Sequence, residues 1–134
     1  MQAYVSDPYE KYRQQGVMSA SPVELIVMLY DGCIKQIHLA QRHIEKNEIE
    51  AANTSMQKAQ AIISELSMSL DRSYDVSASL SDLYDFILET LVSANLDKDI
   101  EKLESLVGIL TELKEAWETL AKDSKKNRYV ALEG

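Results

Sequence analysis

From residue 22 onward, apolar residues recur at steps of three and four, the period of an α-helix. Ile26, Tyr30, Cys33, Ile37, Ala40 and Ile44 trace one face of a first helix over about 22–45. Its start is marked by Ser21-Pro22-Val23-Glu24, where serine accepts from an orphan amide, proline wastes none, and Glu24 closes a capping box. A second start, Asn47 with Glu50, precedes Ile49, Ala52, Met56, Ala59, Ile63, Leu66 and Leu70, which predict a helix over about 48–70. Polar residues 71–75 read as a loop. Leu80, Leu83, Ile87, Leu91 and Ala94 then predict a third helix over about 76–95. Asp97 is the expected N-cap of a fourth, over about 98–121, whose face is Leu103, Leu106, Leu110, Leu113, Trp117 and Leu120.

Three short connections make neighbouring helices antiparallel, so the fold expected is all-α, an up-down-up-down four-helix bundle. It occupies residues 21–121, with an N-terminal cap segment (1–20) packed across it and a polar, frayed tail (122–134). Tyr30 and Trp117 fall on the seams and read as core.

Composition narrows the function. The chain has 134 residues, one domain's worth, and 46% are hydrophobic, enough for a single core. The formal charge of −8 argues against a nucleic-acid partner, which needs a basic face, and suits a protein that keeps a sticky partner dispersed. A single cysteine precludes an internal disulfide and favours a reducing compartment. No signal peptide is visible, and the longest apolar run, 25–30, is far too short for membrane insertion. The expected location is the cytoplasm.

Catalytic chemistry finds little to work with. His38 and His43 are five apart and do not stack on one helical face, and Lys35 and Ala40 stand where a di-metal bundle needs glutamates. The four glycines are scattered and form no phosphate loop. Cys33 lies on the seam and reads as packing. No cofactor and no metal are expected. A histidine phosphotransfer bundle using His38 or His43 stays open as an alternative, as does a self-associating helical module.

The informative anomaly is in the first helix. With Val23, Leu25, Val27, Met28 and Leu29 beside the seam, residues 25–30 are apolar all the way round, so more than the bundle must cover them. The alternative is an extended core contact. A cover is at hand in Tyr4, Tyr9, Tyr12, Val17 and Met18, whose tyrosines can lie on an apolar groove with their hydroxyls in water. Helix three has a second apolar excess in Tyr84, Phe86, Leu88 and Val92. Gly108, in mid-helix four, marks either a close helix crossing or a shallow seat for a guest helix. The basic cluster Lys122, Lys125, Lys126 and Arg128 complements the end of the last helix or serves in docking.

Tyr9-Glu-Lys-Tyr12, Val17-Met-Ser-Ala-Ser-Pro22 and Glu24-Leu-Ile-Val-Met-Leu-Tyr-Asp-Gly32 together resemble the N-terminal signature of the FliS-type flagellin export chaperones. Lys58-Ala-Gln60, Ile62-Ile-Ser-Glu-Leu66, Leu83-Tyr84-Asp85, Ala94-Asn95 and Leu113-Lys-Glu-Ala-Trp117 extend the likeness in order. Ser19 stands where the family usually has threonine. The resemblance implies a cytoplasmic chaperone that holds the disordered C-terminal segment of flagellin and delivers the subunit to the flagellar export gate. The segment would fold as helices in surface grooves. On that reading the partner contacts are Tyr9 and Tyr12 with Val17 as cover, Leu25, Met28 and Leu29 as groove floor, and Tyr84 as a secondary contact.

Overall fold

The computed structural model describes residues 21–133, with side chains described to Asp123. Tyr9, Tyr12 and Val17 lie outside the described residues. Four helices follow in order: α1 (Pro22–Glu45), α2 (Ile49–Met68), α3 (Val76–Asp97) and α4 (Ile100–Glu133). The described residues form a four-helix bundle, as the periodicity predicts.

The start of α1 is the capping box read from the sequence. The Glu24 amide donates to Ser21 Oγ (3.2 Å), and the Ser21 amide donates to Glu24 Oε1 (3.1 Å). Two other starts differ from expectation. Asn47 does not cap α2; it takes a left-handed φ of 60° in the turn, and Glu48 is the N-cap residue. Asp97 is the last residue of α3, and Lys98 follows it with a left-handed φ of 52°. The cap of α4 is Asp99, whose Oδ1 accepts from the Lys102 amide (3.1 Å). In both turns one residue serves to reverse the chain before the next helix opens, which moves the cap along by one or two positions.

The fourth helix also runs past its expected end at residue 121, to Glu133. No proline or glycine lies between Gly108 and Gly134 to stop it, so loss of apolar period ends the packing face without ending the helix. At 34 residues it is about 51 Å long, against about 33 Å for α3.

Packing runs round a ring: α1 meets α2 and α4, α2 meets α3, and α3 and α4 touch least. The core is Leu25, Leu29, Tyr30, Cys33, Ile37 and Ala40 from α1, with Ala52, Met56, Ala59, Ile63 and Leu66 from α2. From α3 come Tyr84, Ile87, Leu91 and Ala94, and from α4 Leu103, Leu106 and Leu110. Tyr30 and Tyr84 meet across the bundle with their hydroxyl oxygens 2.6 Å apart. Ile49 and Leu120, both on the predicted seams, are instead exposed at the bundle ends.

Polar bonds hold some seams more firmly than others. Between α1 and α4, Lys114 Nζ pairs with Asp31 Oδ1 at 2.8 Å, and Gln41 Nε2 donates to Glu104 Oε1 at 3.0 Å. Between α2 and α3, Asn95 Nδ2 donates to Asn53 Oδ1 at 2.7 Å. Between α3 and α4, Lys102 Nζ donates to Ser93 Oγ at 2.8 Å, close to the turn that joins them.

Candidate functional site

Away from that turn, the first half of α3 and the middle of α4 leave an apolar groove between them. One pocket, of about 290 Å³, is lined by Ile26, Leu66, Leu70, Tyr74, Leu80 and Trp117, with polar atoms from the α2–α3 loop at its edge. A second, of about 280 Å³, shares Val76, Leu80 and Trp117 with it and adds Leu113, Ala116 and Leu120. The helix spacing dictates this: Val76 and Leu80, four apart, form the α3 flank, and Leu113, Trp117 and Leu120 the α4 flank. In a tightly closed bundle both would be buried. Here Val76 is 60% exposed, Leu120 47% and Tyr74 65%.

The α2–α3 loop sets the groove's mouth. Asp71 Oδ1 accepts from the Ser73 amide (3.0 Å) and hydroxyl (2.6 Å), and Ser77 Oγ donates to the Asp71 carbonyl. Those bonds from Ser73 hold the Asp71 carboxyl below its usual pKa. They fix a short turn that presents Tyr74 and Val76 outward.

The residues expected as partner contacts divide. Leu25, Leu29 and Tyr84 are fully buried members of the core, while Met28 is partly buried. No residue from 25 to 30 is exposed, in keeping with a stretch that is apolar all round. Trp117, read as core, is only partly buried and walls both pockets. Of the apolar excess on α3, Phe86 and Val92 are exposed, whereas Tyr84 turns inward. Gly108 has nothing within 4 Å of where a Cβ would stand, which overturns the close-crossing reading and leaves an open stretch of α4.

The groups with chemical potential are engaged or sealed. Burial pushes the Cys33 thiol up to about 12, and its Sγ faces the Ala59 carbonyl at 3.8 Å. His38 Nδ1 meets Gln41 Oε1 at 3.1 Å, and His43 Nδ1 meets Glu48 Oε1 at 2.8 Å, lowering the Glu48 pKa. Among the described residues, no cluster of three His, Cys, Asp or Glu side chains is placed to hold a metal. None of the described helices is long and apolar enough to cross a membrane. The groove can bind apolar surface; it offers no paired acid and base.

The family profile described as flagellar protein FliS matches residues 5–124. The chain belongs to the FliS family. It is 38% identical over 125 residues to the flagellar secretion chaperone FliS of Bacillus subtilis (strain 168), covering 93% of this chain and 94% of that one. It is 34% identical over 111 residues to the protein of the same name in Salmonella typhimurium, covering 81% and 82%. With the FliS of Escherichia coli (strain K12) the identity is 30% over 121 residues, covering 85% and 89%. FliS relatives are thus named as secretion chaperones, not as enzymes, which agrees with a groove suited to binding rather than turnover.

Sequence reasoning missed the α3–α4 groove because it assigned Leu80, Leu113, Trp117 and Leu120 to a closed seam. The signal was present in small form: Ser77 of α3 and Ala116 of α4 stand among the large apolar residues that line the two pockets, and small side chains fill less of an interhelical gap.

Proposed function

We propose that the protein is a cytoplasmic export chaperone that binds the C-terminal segment of flagellin, with the α3–α4 groove as a principal seat. The observation that carries this is a half-open seam, lined by Trp117, Leu80, Leu113 and Leu120, in a member of a secretion-chaperone family. A client helix laid there would complete the burial that α3 and α4 leave unfinished, a helix-in-groove mode. Because the client folds as it binds, ordering consumes several kcal/mol of the contact energy, and the complex stays releasable. The client would thereby be kept from polymerising, and the loaded chaperone would be what the export gate receives.

The N-terminal segment enters this proposal as a cover. Residues 1–20 join α1 at Ser21, less than two turns before Ile26, which lines the first pocket. Tyr9, Tyr12 and Val17 would lie over apolar surface until the client displaces them. Met28 would then take part at the surface, with Leu25, Leu29 and Tyr84 supporting it from beneath.

Trp117 is the sole tryptophan, so its fluorescence reports on the groove directly. Titration with a peptide of about forty residues from the flagellin C-terminus should give saturable one-to-one binding and a blue shift as the indole loses water. Val76→Asp and Leu120→Asp, at exposed positions, should each weaken binding by about tenfold with unchanged helix content. An unshifted spectrum together with unaltered affinity in both variants would remove the groove from the function.

A further inference from the structure

We propose that the outward face of α3 is a second docking surface, separate from the groove, that takes a cationic amphipathic helix of another protein. Asp85, Glu89, Val92 and Leu96 succeed one another at steps of four, three and four, which places them in one stripe along the helix. All four are exposed, Val92 at 48% and Leu96 at 81%. The stripe is therefore acidic at one end and apolar at the other, over about 17 Å of helix.

Charge identifies the occupant. From Ser73 to Asp97 the chain contains no lysine or arginine, while Asp75, Asp82, Asp85, Glu89 and Asp97 all fall within it. Of the nearest cations on the C-terminal side, Lys98 Nζ donates to the Asn95 carbonyl (2.6 Å) and side chain (2.9 Å). Lys102 Nζ donates to Ser93 Oγ and pairs with Asp97 Oδ2 (3.8 Å), so the acidic end of the stripe, Asp85 and Glu89, lies beyond that ion pair. Among the described residues no ion pair engages Asp82, Asp85 or Glu89. Such an acidic stretch beside two exposed aliphatic side chains fits a helix with apolar residues at helical spacing and lysines or arginines one to two turns away. Such a charge match supplies orientation and encounter rate, and the Val92–Leu96 contact supplies the grip. The stripe lies on a different side of α3 from Val76 and Leu80, so both surfaces can be filled at once.

The probe is an amidated peptide of about eighteen leucines and lysines with the leucines at helical spacing, titrated into the full-length protein beside a scrambled peptide of equal composition. One-to-one binding of the patterned peptide is expected, weakened about tenfold by Val92→Ser/Leu96→Ser and likewise by Glu89→Lys. A saturating flagellin C-terminal peptide should leave it in place, and Val76→Asp should not affect it. Equal binding of the scrambled peptide, or wild-type affinity in both variants, would reduce the effect to bulk charge and overturn the proposal. Displacement by the flagellin peptide would place the probe in the groove instead. Concentration-dependent sedimentation abolished by Val92→Ser/Leu96→Ser would give the face to a second copy of the chain. Each of these outcomes is independent of the Trp117 signal, which tests the groove alone.

Discussion

Tyr30 and Tyr84 place two phenol groups in a core built mostly of aliphatic side chains, with their oxygens 2.6 Å apart. Removing one hydroxyl takes this bond away inside the bundle. Tyr84→Phe should lower the unfolding free energy by about 1 kcal/mol, read as a shifted urea midpoint at constant slope. The inward position of Tyr84 was not legible in the sequence. Leu83 and Tyr84 both stand three or four residues from Leu80 and from Ile87, so the period admits either as the core residue. Cys33 makes a second residue-scale point. Its buried thiol stays protonated to about 12, so the folded state keeps a proton that the unfolded chain gives up. Stability from this group is fully present below the unfolded thiol's pKa and declines from about pH 9 towards pH 12. Thiol-exchange reagents should leave Cys33 unmodified at neutral pH in the native protein and label it in urea.

The helices themselves carry a stability reserve. Gly108 lies in the interior of α4 with open space where a Cβ would go, so it costs helix entropy with no packing gain in exchange. Gly108→Ala should raise stability by roughly 0.5–1 kcal/mol and lift the melting temperature. A destabilised variant would mean that the free protein keeps something seated there. The sequence resolved the existence and order of all four helices, because sustained apolar periodicity survives local detail. It resolved the Ser21 start for the same reason that start is stable: three residue types agree on one geometry. It misplaced the starts of α2 and α4, since a left-handed residue such as Asn47 or Lys98 is set by how the chain must reverse, and no local pattern announces it at a lysine.

At the scale of the molecule, the four seams are unequal. The α1–α4 pair carries Lys114–Asp31 and Gln41–Glu104, and the α2–α3 pair carries Asn53–Asn95, whereas α3 and α4 are joined by Lys102 near their connecting turn and leave an apolar groove beyond it. Trp117 sits at that groove, packed against the core on one side and walling the groove on the other. Trp117→Ala should therefore cost less than the roughly 3–5 kcal/mol typical of a fully buried tryptophan, about 1–2 kcal/mol by denaturant unfolding, while reducing client affinity about tenfold. A loss of stability at the upper end with client binding intact would return Trp117 to the core. Periodicity could not anticipate this, because it says which residues share a face and not how closely a neighbouring helix approaches it. A seam and a groove have the same sequence pattern; they differ in distance.

The reciprocal bonds between Ser21 and Glu24 bear on how such a protein could change what it holds. They secure the first turn of α1 with two bonds made within four residues. On the proposed function, a start capped this locally would act as a firebreak, limiting how far exchange of a cover or client beside α1 disturbs the bundle. Loading and release would then spare the scaffold, and the same folded core could serve client after client.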